Sequence, residues 1–175
     1  MDGFDALVKK LSFEEAEAWA AVAIILRETG YGLETLLVKR AVVPGDPWSG
    51  DMAFPGGKKS PEDVTLRSTV HREVLEETGI DLNNAYLLGT MPTVFSALRS
   101  EMSVLPILYR WEGEPKIKLN SELTKYVWVK LEDLSYSRRV EVVKGWRGSV
   151  FRIGDDVIWG LTYRILEKLI EFTRV

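Results

Sequence analysis

Apolar and polar positions divide the chain into short β-like runs, with one helical run before the middle and another at the end. AAVAIILRE (20–28) and LETLLVKR (33–40) are apolar and β-rich, and the turn GYG between them predicts a hairpin. AVVPGDPWSGDMAFPGGKKSP (41–61) is rich in Pro and Gly and reads as a loop with a short strand near Met52–Phe54. Ser60-Pro61-Glu62-Asp63 then supplies a helix N-terminal signature, with proline tolerated in a first turn. Leu66, Val70 and Val74 fall on one side of that helix; Gly79 ends it as a left-handed cap, and Ile80 can pack back onto the last turn. AYLLGTMPTVF (85–95), MSVLPILYRW (102–111), YVWVKL (126–131) and SVFRI (149–153) read as further strands. Asp155 or Asp156 is placed to cap a final helix carrying Ile158, Leu161, Ile165, Leu166, Leu169 and Ile170 at helical spacing. Residues 4–18 suggest a short amphipathic helix. Several strands with helices inserted early and late predict a mixed α/β sandwich, without a regular βαβ repeat.

Length fits this picture: 175 residues make one domain with a sizeable core, and two would be cramped. A net charge of −3 provides no basic footprint for nucleic acid or an anionic membrane. With no cysteine there is no disulfide framework and no thiolate chemistry. The start, MDGFDALVKKLSF, lacks a signal-peptide layout, and the apolar run WAAVAIIL (19–26) is far short of a membrane helix. A soluble, cytoplasmic protein is the expectation.

The chemistry concentrates in HREVLEETG (71–79), where Glu73, Glu76 and Glu77 crowd one helix beside its apolar stripe. Glu73 and Glu77 lie almost in line, Glu76 within roughly a quarter-turn, and Glu77 projects from the edge of the stripe. A solvated acidic face would set these carboxylates opposite the core, with Lys or Arg one turn along, and the pattern offers neither. Like charges one turn apart cost a few tenths of a kcal/mol, more when partly buried, and acids near a helix C-terminus oppose its dipole. A divalent cation would offset both, and carboxylate oxygens are natural ligands for Mg²⁺ or Mn²⁺. From the helix alone, metal binding and a structural network are equally open, and Arg72 serves either as salt-bridge partner or as carboxylate clamp. The preceding Gly56-Gly57 pair lets backbone groups approach a ligand closely. GGKKS is not a P-loop: Met52 stands where the first glycine is needed, and Lys59 replaces the Ser/Thr.

FPGGKKSPEDVTLRSTVHREVLEETGI (54–80) resembles the Nudix hydrolase signature GX5EX7REUXEEXGU, with U aliphatic. Arg72, Glu73, Val74, Glu76, Glu77, Gly79 and Ile80 match its second half in full. The first half departs. Gly57 is followed by five residues and Asp63, then eight residues before Arg72; alternatively Gly56 pairs with Glu62, nine residues before Arg72. The longer loop looks like the coenzyme A pyrophosphatase-like branch, as do LLVKRA (36–41), WSGDMAFPGG (48–57), NSELTKYVWVKL (120–131) and VIWGLTYRIL (157–166). That branch places an arginine before the FPGG glycines, whereas VVPGDPWSG here has no Arg or Lys.

The resemblance implies an α/β/α sandwich with a mixed sheet and the signature loop-helix, as one domain over 1–175 with residues 1–18 a helical extension. It implies hydrolysis of a diphosphate in a nucleoside diphosphate derivative, on Mg²⁺ or Mn²⁺ held by Glu73, Glu76, Glu77 and the Gly56 carbonyl, with homodimers common among relatives. Arg72 would orient a carboxylate. A signature glutamate such as Glu73, or a later acid, Glu122 or Glu101, would be the base. Arg40, Trp48 and Gly57 are substrate-contact candidates. His71, the only histidine, reads as structural. A binding module on the same fold is the competing class, disfavoured because all three glutamates are kept. The EF-hand pattern of a Ca²⁺ site is absent.

Overall fold

Burial along the central strand organises the molecule. The structure, a computed structural model, describes residues 4–97 and 99–174. In chain order the elements are α1 (Asp5–Val8), β1 (Ala20–Thr29), β2 (Gly32–Arg40), β3 (Met52–Ala53), β4 (Gly56–Lys58) and α2 (Leu66–Thr78). After a 3₁₀ turn at Leu82–Asn84 come β5 (Tyr86–Thr90), β6 (Val94–Phe95), β7 (Ser103–Arg110) and β8 (Leu123–Lys130). The chain then forms α3 (Leu131–Tyr136), β9 (Arg138–Val143), β10 (Trp146–Ile153), β11 (Asp156–Ile158) and α4 (Gly160–Thr173).

Among the described residues, β1 to β8 form one mixed sheet, in which β1 runs parallel to β7 and antiparallel to β2 and β4. Strands β9, β10 and β11 form a separate antiparallel sheet. Period-two alternation sends Ala20, Ile24 and Leu26 into the core beneath α4, and Ala21, Ala23 and Ile25 into the core beneath α2. Strand β1 is covered on both faces, which is why its sequence is a continuous apolar run. The predicted α/β/α sandwich with a mixed sheet is what the chain forms.

Predicted strand 85–95 is split into β5 and β6, predicted strand 126–131 yields Leu131 to α3, and the sequence reading does not foresee β4, α3 and β9. Three further differences have clear physical reasons. Helix α1 stops at Val8; Ser12 bridges Thr90 through paired backbone bonds of 3.1 and 2.7 Å. The non-helical segment carries Glu15 to the start of α2, where its carboxylate accepts from Leu66 N–H (3.2 Å) and Arg67 N–H (3.3 Å). An acid there satisfies orphan donors and complements the helix dipole. Helix α2 starts later than predicted, at a capping box between Thr65 and Ser68, which releases Asp63 for another task. Neither predicted aspartate caps α4: Asp156 and Ile158 belong to β11, and Asp156 is buried in ion pairs with Lys39 (2.8 Å) and Lys125. Trp159 precedes α4 instead.

Candidate active site

Strand β4 lies against β1 with Gly56 opposite Val22 and Gly57 opposite Ala21, and α2 crosses above them. Leu66, Val70 and Val74 anchor the helix on the sheet. Burial of such side chains contributes roughly 1.5–3 kcal/mol each, well above the few tenths that crowded glutamates cost the helix. Gly79, at φ 74°, closes the helix by donating to the Leu75 carbonyl.

The glutamates end in different environments. Glu77 is buried, at 5% exposure, and its Oε2 accepts from the Gly56 N–H at 3.1 Å. Burial pushes its carboxyl up to about 8, against the Gly56 hydrogen bond, and the charges of Glu73 and Glu122 push the same way as burial. Glu73 packs directly on Gly57: a Cβ there would sit 2.8 Å from the Glu73 carboxyl carbon. Its carboxyl is also raised, first by burial, although Arg72 opposes the shift. Glu76 stands outward, more than half exposed.

Arg72 is the hub. Its Nε and Nη2 grip both Asp63 oxygens at 3.0 and 2.8 Å, and Nη1 reaches Glu73 Oε1 at 2.8 Å and Glu76 Oε2 at 3.5 Å. The sequence reading placed no cation one turn from a glutamate. Arg72 is that cation, four residues before Glu76. Asp63 also accepts from Ser60 N–H (2.9 Å) and the Thr69 hydroxyl (3.0 Å), so between Glu62 and Asp63 it is Asp63 that meets Arg72. Arg72 holds the Asp63 carboxyl well below the usual carboxylate range.

Asp63→Asn is expected to destabilise the protein by about 1–3 kcal/mol at pH 7, the cost of unpairing a charged hydrogen-bond partner. Because the folded pKa is depressed, the wild-type advantage is full above the unfolded value of 3.8 and shrinks as pH falls below it. Urea unfolding at pH 7 and pH 3 measures this. An unchanged difference would remove Asp63 as the anchor.

The segment after β7 brings Glu122 to the same place. Asn120 N–H donates to the Glu77 carbonyl (3.0 Å), Lys118 N–H to the Thr78 carbonyl (2.8 Å), and Ala41 N–H to the Glu122 carbonyl (2.8 Å). Glu101 instead lies exposed on the turn before β7. Arg40 pairs with Asp46 at 2.9 Å, and among the described residues its Nε is buried without a hydrogen-bond partner. Arg40, Trp48, Gly56 and Gly57 line one cavity of about 590 Å³. His71 stands apart with its ring edge-on to Tyr109 at 5.7 Å, and burial lowers its pKa, in keeping with a structural role.

The donor set, carboxylates with backbone carbonyls, suits a hard divalent cation. Among the described residues no three acidic or histidine side chains converge at ligand spacing, since Arg72 draws Glu73 and Glu76 towards itself. Sequence reasoning missed Asp51 and Trp146, which also border this cavity, and Lys144, which pairs with Asp51 at 2.8 Å; the turn at Lys144-Gly145 was the signal for Lys144 and Trp146, and Lys-Gly is a weak one.

Glu77 buried and Glu73 half-buried on one helix, beside a close-packed Gly-Gly strand in a mixed α/β sandwich, make up this site. The chain belongs to the NUDIX domain family, whose profile matches residues 17–146, and with its hydrolase relatives it is an enzyme of diphosphate hydrolysis. An uncharacterized Nudix hydrolase, NudL, of Photorhabdus laumondii subsp. laumondii is 30% identical, over 95% of this chain and 90% of its own. An uncharacterized Schizosaccharomyces pombe protein is 35% identical over 57% of this chain, which spans only 32% of that longer protein. Among solved structures, a MutT protein from Methanosarcina mazei Go1 has a TM-score of 0.51 and 31% identity, covering 70% of this chain and 83% of its own.

Proposed function

We propose that the protein is a metal-dependent pyrophosphohydrolase that cleaves a nucleoside diphosphate linked to another group. The observation that carries this reading is the pair Glu73 and Glu77, both packed against Gly56-Gly57 with their carboxyls raised by burial. A purely structural network would supply a cation for each. Here Arg72 serves Asp63 bidentately and only one oxygen of Glu73, while the Glu77 carboxylate is met by the Gly56 backbone N–H.

Glu73, Glu76, Glu77 and the Gly56 carbonyl are the ligands we assign to Mg²⁺ or Mn²⁺. Bound there, the metal screens the diphosphate and lowers the pKa of a bound water. Arg72 orients Glu73, and Asp63 fixes Arg72. Glu122, close enough to bias both Glu73 and Glu77, is a better placed general base than Glu101. Arg40, which lines the cavity, is the cation we assign to a phosphate oxygen, and Gly57 allows the diphosphate to approach the backbone.

Within the family, the segments around Arg40, Trp48-Gly57, Glu122 and Trp159 support the coenzyme A pyrophosphatase-like branch. Three of the four meet at the cavity, the Glu122 segment being the exception. The missing loop arginine leaves coenzyme A's extra phosphate without the branch's usual partner, so a related ADP-containing compound fits equally well. The test is a panel of coenzyme A, ADP-ribose, dinucleotides and nucleotide sugars, each with Mg²⁺, Mn²⁺ or EDTA. Turnover of at least one with metal and loss of turnover in EDTA is expected. Binding without turnover of any would instead support the non-catalytic nucleotide-binding reading.

A further inference from the structure

The cavity lined by Gly56-Gly57 is also lined by indoles from four parts of the chain: Trp19, Trp48, Trp146 and Trp159. Three of these are substantially exposed, Trp19 at 36%, Trp48 at 39% and Trp146 at 37%. Trp146 comes from the tip of the second sheet, which lies wholly outside the signature.

That tip is a built feature. Val143 pairs with Trp146 across the two-residue turn Lys144-Gly145, whose φ values are 49° and 82°. Positive φ at both positions marks a type I′ turn, and Lys144 is the only non-glycine among the described residues to adopt it. What holds Lys144 there is its ammonium group. It donates to the Pro47 and Ser49 carbonyls, both at 2.9 Å, and pairs with Asp51 at 2.8 Å. Asp51 in turn accepts from the Trp159 indole N–H at 3.1 Å. The hairpin tip, the loop carrying Trp48 and the start of α4 are thereby tied into one wall.

Trp146 is fixed within that wall. Its ring lies 5.9 Å from the Trp159 ring at 38°, and the outer edge of its six-membered ring lies against Gly148, with the residue still 37% exposed. A Cβ on Gly148 would stand 2.0 Å from the indole, so only glycine leaves the ring room to lie there.

We propose that Trp146 is a specificity-determining residue on which the nucleobase of the substrate stacks, and that Lys144 is the residue that positions it. The proposal rests on reading the substrate as a nucleoside diphosphate derivative. Because Gly56-Gly57 and Trp146 line one cavity, a diphosphate held at the glycines leaves the group it carries within that cavity, which Trp48, Trp146 and Trp159 also line. A volume of about 590 Å³ accommodates a nucleoside and more. Stacking on aromatic faces is tolerant of base identity because every base has a π face. Asp51 is committed to Lys144 and to the Trp159 indole, and Arg164, which also lines the cavity, donates to the Phe95 carbonyl, so these charged groups do not read base edges. Purines are therefore held better than pyrimidines, with little discrimination between adenine and guanine.

The test is a ligand-observed NMR titration of adenosine, guanosine, uridine and, as control, ribose, in EDTA, so that neither metal nor turnover enters. Adenosine and guanosine are expected to bind at roughly millimolar strength within about threefold of each other, uridine more weakly, and ribose not at all. Trp146→Ala should weaken adenosine binding about tenfold or more, and Trp146→Phe should stay within about threefold of wild type. Lys144→Met, which removes no base contact, should weaken it about fivefold, and in turnover should raise KM with kcat within about threefold. If Trp146→Ala unfolds, the Phe and Met variants carry the test. Wild-type adenosine affinity in Trp146→Ala or Lys144→Met, a preference above about thirtyfold between the two purines, or no wild-type binding at 10 mM (roughly tenfold above the expected Kd) overturns the proposal. Nucleoside binding that follows the expected pattern while no diphosphate is hydrolysed would overturn the hydrolase reading and leave this one standing.

Discussion

Replacing Glu77 by glutamine is expected to lower kcat by about 10³-fold or more, roughly 4 kcal/mol of transition-state stabilisation, while leaving the protein folded. Glutamine keeps the shape and an oxygen to accept from Gly56 N–H, so the α2–β4 contact survives. What it removes is the charge. In EDTA that charge is a liability, since burial and the neighbouring Glu73 and Glu122 raise the Glu77 carboxyl to about 8. A group with a raised folded pKa is tolerated fully below its unfolded value of 4.5, and its stability contribution falls as pH rises through the folded pKa. Without metal, Glu77→Gln should therefore gain in melting temperature over wild type as pH rises from 4.5 to 8. With Mn²⁺ well above the wild-type Kd the order should invert at pH 8, because wild type gains more binding energy from the ion than the variant does. Thermal melts across that pH range, with and without Mn²⁺, check the sign at both ends. A Glu77→Gln enzyme with near-wild-type kcat would leave the cluster without a chemical role.

Gly56→Ala should cost the fold about 3 kcal/mol or more, and lower the melting temperature by about 10 °C. At φ 147° an L side chain is strained, and the added Cβ would lie 2.3 Å from the Ala21 carbonyl oxygen and 2.7 Å from Val22 Cα. Both are backbone atoms of the central strand, which cannot yield. Gly57→Ala makes the informative contrast. Its Cβ meets the Glu73 carboxyl, 2.8 Å from Cδ, and a flexible side-chain end can swing away. Stability should drop by no more than about 1 kcal/mol while activity falls at least tenfold, because Glu73 is displaced from its place. Melting curves beside turnover numbers separate the two glycines. Equal losses of stability for both would mean that the strand tolerates what the geometry forbids.

Much of this was readable from residue order because the determinants are local. The continuous apolar run of β1, the Leu66-Val70-Val74 stripe and the Gly79 cap each act within a turn or two, and each appears where the pattern puts it. The register of Arg72, Glu73, Glu76 and Glu77 likewise follows from helical spacing. Long-range contacts decided the rest. Asp63 could not be told from Glu62 without the Arg72 grip, nor the non-helical course of residues 9–18 without the strand bridge at Thr90 and the helix start that Glu15 caps. Asp156 has the look of a helix cap in sequence. Two lysines from other strands claim it instead. The hairpin tip at Lys144 was hidden because its conformation is fixed by carbonyls almost a hundred residues earlier.

The central claim is that the signature carboxylates form a divalent-cation site. It is tested most directly by Mn²⁺ binding, followed by electron paramagnetic resonance, to wild type, Glu73→Gln and Glu77→Gln without substrate. The account predicts saturable binding to wild type, weakened at least tenfold in each variant, with Glu101→Gln unchanged. Equal Mn²⁺ affinity in wild type and both glutamine variants would contradict it.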